Sequence, residues 1–330
     1  MKFYLFCSIA ILISGCSNAQ KHIQNIEKQI SSSEISQTKI YNFDIIENES
    51  VTGKLHRFDS FASNFIIPRT VDVWLPENYS ANKKYAVLYM NDGQDLFDPL
   101  VNKRKPEIEI DETITRLVSE EKIKDAIVVG IYNIPNERSE DYFPQKPIDL
   151  LPVKTKDSLL RLVRAFNKSF NFNSDDYLKF LTQELKPYID ANYSTATDVT
   201  NTYIAGASMG GLISMYAVCE YPQIFGGAIG MSTHWVGAVP SDGNPIPPAF
   251  FNYMRKNLPP PDTHKFYFSF GTKGLDMFYT QYEDEVNNVF NERGYTTNNV
   301  FRNIKTEGGN HNVPSWQERF PEAVQMMIGK

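Results

Sequence analysis

The sequence predicts an α/β fold: a mostly parallel central sheet with helices on both faces and an excursion over the active-site end. Three observations predict it. From Lys84 to the C-terminus, β-prone runs alternate with helical ones, the pattern of parallel strands joined by right-handed crossovers. The runs 84–90 and 126–131 are almost continuously apolar, as strands covered on both faces are. Between the β-prone run 202–205 and the helix-forming run 212–220 stands Gly206-Ala207-Ser208-Met209-Gly210, followed by Gly211. This is Gly-x-Ser-x-Gly at a sharp turn from strand to helix, where glycines let the chain adopt a strained backbone and lift the serine hydroxyl out of the fold.

Composition sets the bounds. A chain of 330 residues with 42% hydrophobic content can bury a substantial core. A net charge of −6 gives nothing that suggests nucleic acid.

Residues 1–15 read as a targeting segment. Lys2 supplies the positive start, and 3–13 is an apolar run too short to span a membrane as a mature helix. It ends in Ile13-Ser14-Gly15-Cys16, which resembles the lipobox of bacterial lipoproteins, where the cysteine is lipidated and begins the mature chain. A plain secretory signal is the rival reading. Of three cysteines, Cys7 lies in the signal and Cys16 at the lipid site, leaving Cys219 without a partner as a buried apolar residue. Residues 16–40 are polar and read as a flexible tether, leaving 41–330 as a single domain.

Within that domain, 51–58 and 70–75 alternate as edge strands do. Strand 84–90 ends in Asn91-Asp92-Gly93-Gln94-Asp95. A helix at 110–121 and strand 126–131 follow. Residues 133–173 hold prolines, aromatics and charges without a clean period, except a helical piece near 158–170. They read as the excursion, where a lid or substrate wall would lie. Ser174-Asp175-Asp176 reads as the cap of a long helix to about Tyr193. After the serine turn come a strand within 223–231, a short helix within 242–261, strand 265–270, helix 279–293, strand 300–306 and a terminal helix from about Pro314.

A serine hydroxyl needs a base to become a nucleophile. Sites in such sheets gather beyond the carboxyl ends of the strands, which leaves His234 and His311 among the five histidines. His311 follows the last strand behind Gly308, Gly309 and Asn310 and is the preferred base; His234 is its rival. Asp276, the first carboxylate after strand 265–270, is expected to orient the base, with Glu283 and Asp284 as later alternatives. The backbone N–H groups of Met209 and Gln94 are expected to form the oxyanion hole. The order Ser208, Asp276, His311 is that of α/β-hydrolases.

These segments resemble the esterase D and enterochelin-esterase-like esterases, a group that includes feruloyl esterases and mycolyltransferases. The resemblance rests on Tyr89-Met90-Asn91-Asp92-Gly93-Gln94, Gly206-Ala207-Ser208-Met209-Gly210-Gly211, Phe270-Gly271-Thr272 and Gly309-Asn310-His311 followed by Trp316. Arg138-Ser139-Glu140-Asp141-Tyr142-Phe143-Pro144 is also reminiscent of it, and the likeness spans roughly 50–325. Many relatives carry a carboxylate just beyond the glycine where this chain has Lys273 and Gly274, so Asp276 rests on position alone. The resemblance implies a serine esterase with no metal or organic cofactor. Its substrate would be a small-molecule, polysaccharide or siderophore ester, and the lipid would hold it to the cell envelope. Acyl transfer on the same residues and a non-catalytic glycan- or siderophore-binding lipoprotein are the alternatives.

Overall fold

In the computed structural model, residues 41–99, 101, 106–166, 168–237 and 240–330 are described. The signal, Cys16 and the tether lie outside them. The unit Phe43–Lys330 carries all that follows.

Its sheet starts with β1 (Asp44–Ile46), β2 (Lys54–Phe61) and β3 (Arg69–Leu75), which run antiparallel to one another. Six parallel strands continue it: β4 (Ala86–Asn91), β5 (Ala126–Ile131), β6 (Thr202–Ala207), β7 (Gly227–Met231), β8 (Lys265–Gly271) and β9 (Phe301–Thr306). Among the described residues the order is β1-β2-β3-β5-β4-β6-β7-β8-β9. From β4 the chain adds β5 on one side and β6 on the other. That reversal opens a crevice at the carboxyl ends of β4 and β6, where the serine turn emerges.

The helices are α1 (Ile110–Ser119), α2 (Arg138–Tyr142), α3 (Gln145–Asp149), α4 (Val153–Phe166), α5 (Ser174–Lys179), α6 (Lys186–Asn192), α7 (Met209–Glu220), α8 (Ile246–Asn257), α9 (Glu283–Glu292) and α10 (Val313–Ile328). One core joins Leu88, Met90, Val128 and Ile229 to Ile114 and Leu117 of α1 and Phe320 and Val324 of α10. Alternate strand residues therefore feed this face, and their neighbours feed the other. Helix α7 packs on β6 and β7 and is buried from Gly210 to Cys219, so it is apolar all round, as a central helix should be. No helix of the described residues is long and apolar enough to cross a membrane.

The structure differs from the sequence expectations most in the excursion and the helix after it, and it adds the unexpected short strand β1. The excursion holds α2, α3 and α4, not one helical piece. The expected long helix after residue 173 changes to a π-turn at Phe180–Leu185, just before Pro187, which has no N–H to give an α-type bond back to Gln183. Its N-cap is Asn173, whose amide is engaged elsewhere, donating to Asp141 Oδ1 at 2.9 Å.

Candidate active site

Ser208 sits at φ 59°, ψ −120°, a conformation that is strained for a residue with a side chain. The surroundings hold it there. Its N–H donates to the Met231 carbonyl at 2.8 Å, and its own carbonyl accepts from the N–H groups of Gly211 at 3.1 Å and His234 at 3.2 Å. A methyl group on Gly206 would lie 2.6 Å from the Gly210 carbonyl, so the strand and the first helical turn close on each other only through glycine. Asn91 then pins the turn from β4. Its amide donates to the carbonyls of Ala205 at 3.1 Å and Gly210 at 3.3 Å and to Ser214 Oγ at 3.0 Å, while it accepts from Tyr177.

His311 and Asp276 come from the loops after β9 and β8. The loops are pressed together: a methyl on Gly271 would stand 2.1 Å from the Gly309 carbonyl, which accepts from the N–H groups of Thr272 and Lys273, both at 3.0 Å. His311 Nδ1 is 2.7 Å from Asp276 Oδ1. The other carboxylate oxygen accepts from Ser232 Oγ at 2.7 Å and the Gly271 N–H at 2.6 Å, with Arg319 Nη2 at 3.5 Å. Burial opposes ionisation of Asp276. The bonds from His311, Ser232 and the Gly271 N–H outweigh it and hold the carboxyl below its ordinary range. The imidazole is flanked by Tyr279, with ring centroids 6.0 Å apart, and Trp316, at 5.5 Å.

The rivals lie elsewhere. His234 Nδ1 meets Tyr279 Oη at 2.8 Å and has no bond to Asp276 among those described. Burial, with His311 and Arg138 nearby, lowers its pKa to about 4, so it is neutral at physiological pH. Glu283 pairs with Lys305 on the surface at 2.7 Å. His264 is fixed between the carbonyls of Pro260 and Pro222, and His56 stacks on Phe43.

Ser208 and His311 line one cavity of about 840 Å³ together with Gln94, Arg138, Asn133 and Trp316. That volume suits a small-molecule ligand. Gln94 lies in a single 3₁₀ turn, Gly93–Asp95, directly after β4. Met209 is the first residue of α7. Neither N–H has a carbonyl within its own helix to bond, and Gln94 lines the cavity with Ser208. No group of three or more His, Cys, Asp or Glu among the described residues is arranged to hold a metal.

Sequence reasoning missed the support around these residues. Ser232 collects donors from Trp316 Nε1 at 3.0 Å and Arg319 Nη1 at 3.3 Å. Arg319 is only 4% exposed and also reaches the Asn310 carbonyl at 3.1 Å. Its one visible signal is a cation in the helix that follows His311.

A family model described as "Putative esterase" matches residues 64–327. The uncharacterized protein YbbA of Bacillus subtilis (strain 168) is 22% identical over 271 residues, 79% of this chain and 93% of that protein. A ferulic acid esterase structure matches with TM-score 0.56 and 17% identity, over 88% of this chain and 98% of that one. The enterobactin esterase FES from Shigella flexneri matches with TM-score 0.57 and 13% identity, over 88% of this chain but 59% of that one. At these identities the two structures share the fold with this chain.

Proposed function

The chain belongs to the family described as "Putative esterase" and is a hydrolase of carboxylic esters, and we propose that it works through Ser208, His311 and Asp276 by way of an acyl-enzyme. One observation carries the reading. An imidazole bonded through Nδ1 to a buried carboxylate shares a cavity with a serine held at positive φ on a strand–helix turn.

In this mechanism Asp276 accepts from His311 Nδ1–H, which fixes the tautomer and leaves Nε2 free to take the serine proton. Ser208 Oγ attacks the ester carbonyl carbon. The negative charge that develops on the carbonyl oxygen is received by the Met209 and Gln94 N–H groups. Collapse breaks the bond to the alcohol, which leaves with the proton from His311. Water then repeats the sequence and frees the acid. The names of the solved neighbours, ferulic acid and enterobactin esterases, make aryl-acid and siderophore esters the first substrates to try. We also propose a lipid anchor at Cys16, which rests on the sequence alone.

Fluorophosphonate labelling followed by peptide mapping tests the nucleophile. The label is expected on Ser208. Ser208→Ala and His311→Ala should each lower kcat by roughly 10⁴–10⁶, and the double variant should lose little more, because the members act as a unit. A label on another residue, or ester hydrolysis that persists in Ser208→Ala, would reject the assignment.

A further inference from the structure

The sequence segment 138–144 has no part in the mechanism so far, yet its first residue reaches the cavity. Arg138 opens helix α2 and lays its guanidinium on Asp92 with two bonds, Nε to Oδ1 and Nη2 to Oδ2, both 2.8 Å. Asn133 Nδ2 adds a third, to Oδ1 at 2.7 Å. The guanidinium also lies over the Tyr142 ring, 5.1 Å from its centroid, and the Tyr142 hydroxyl accepts the Asp92 N–H at 3.2 Å. A two-toothed Arg–carboxylate pair backed by a ring is a rigid arrangement that lysine cannot reproduce.

Asp92 stands where such rigidity matters. It holds φ 62°, ψ 47°, a left-handed conformation that Asp tolerates but does not favour, and it directly precedes Gly93 and Gln94. The loop is tight: a methyl on Gly93 would lie 2.7 Å from the Gly130 carbonyl carbon. The carboxylate itself leans on the opposite wall, because a methyl on Gly210 would be 3.2 Å from Asp92 Oδ2. Asp92 therefore lies between the loop that carries Gln94 and the helix turn that carries Met209. Its charge is also awkward there. A bare carboxylate beside a developing oxyanion opposes the reaction, and the low-dielectric cavity sharpens the effect.

We propose that Arg138 is a positioning residue for the oxyanion hole: it fixes Asp92, and through it the Gln94 N–H, and cancels the negative charge that Asp92 would otherwise present to the oxyanion. This rests on the reading of Ser208 and of the Met209 and Gln94 donors given above. The oxyanion forms only in the transition state, so loss of Arg138 lowers kcat and leaves KM nearly unchanged.

The test is a cycle of Arg138→Gln, Asp92→Asn and the double variant in the full chain, with kcat and KM measured on one p-nitrophenyl ester and fluorophosphonate labelling of the wild type alongside. Asn also tolerates the left-handed backbone, so Asp92→Asn removes the charge without refusing the turn. Arg138→Gln is expected to lower kcat about 10- to 100-fold, less than the 10²–10³ that outright loss of a donor costs, because the Gln94 N–H is displaced but not removed. Because the harmful charge is gone, the double variant should be several-fold more active than Arg138→Gln alone. Affinity for a boronic acid, which forms a tetrahedral adduct, should fall in step with kcat/KM. If Arg138→Gln melts below the assay temperature, Arg138→Lys carries the same test: it keeps a charge but one tooth, and should lose kcat by a smaller factor. A rise in KM at constant kcat, or single losses that multiply in the double variant, would make Arg138 a direct substrate contact or a structural prop and overturn the proposal. Unchanged kcat in Arg138→Gln would overturn it as well. Failure of the wild type to label at Ser208 would instead remove the reading beneath it, and the proposal with it.

Discussion

Two buried residues near the proposed site make the same demand on pH. Asp276 is held below its ordinary range, so its contribution to stability is complete above that range and is lost as pH falls through the lowered pKa. His234 is a base whose folded pKa is lowered to about 4 by burial and by the neighbouring His311 and Arg138. Between that value and the ordinary histidine value the unfolded chain binds the extra proton, so stability falls as the solution is acidified across this window. The full shift corresponds to at most about 3 kcal/mol. His234→Gln, which can keep a bond to Tyr279, should flatten the fall in urea midpoint between about pH 6.5 and 4, and an unchanged slope would assign the fall to other groups. Asp276→Asn should lower kcat by about 10³–10⁴ without unfolding the chain, since the amide can still fill the site but favours the wrong imidazole tautomer. Near wild-type kcat in that variant would leave Ser208 and His311 acting as a dyad. The sequence could name Asp276 and His311 because each follows a strand. It could not show that two residues 35 positions apart meet in a 2.7 Å bond, nor that Ser232 and Arg319 hold the far oxygen, because long-range partners leave no local pattern.

At the scale of elements, legibility follows length and period. Strands β4, β5 and β6 were readable because fully buried strands are continuously apolar, and the serine turn because only glycine satisfies its close approaches. Strand β1, of 3 residues, and helices α2 and α3, of 5 each, are shorter than any period can register. What fixes that part of the excursion is a buried ion pair. Arg69 of β3 donates to Asp141 of α2 at 2.9 Å, both side chains 1% exposed, and Arg69 lies over Tyr177 and Phe180. Breaking one side of such a pair strands a buried charge, so Arg69→Met should cost about 3–5 kcal/mol. Adding Asp141→Asn removes the stranded charge and keeps an acceptor for Asn173, so the double variant should regain a large part of that loss. Urea unfolding checks both; a double variant no more stable than Arg69→Met would mean that the packing of Arg69 on the two rings, not its charge, holds α2 to the sheet.

At the scale of the whole molecule, the two proposed tasks, attachment and catalysis, divide along the chain. Every residue assigned a part in catalysis, from Asn91 to Arg319, lies in the unit Phe43–Lys330. The proposed anchor at Cys16 is separated from that unit in sequence by a polar segment. Attachment and turnover should therefore be separable. A single acyl chain gives marginal, reversible membrane binding, whereas the two or three on a bacterial lipoprotein cysteine give stable attachment. Cys16→Ser should then move the protein from the membrane fraction to the soluble fraction, while kcat/KM on a small ester stays within about twofold, since Cys16 is in sequence outside the unit that carries the proposed site. The two readouts are independent. Release with unchanged kcat/KM supports an anchor that only places the enzyme. Mature protein with an unmodified Cys16, or with its N-terminus elsewhere by mass spectrometry, rejects the anchor and leaves the esterase untouched. Release accompanied by a large loss of kcat/KM would show that the first 40 residues help to build the site, against the division drawn here.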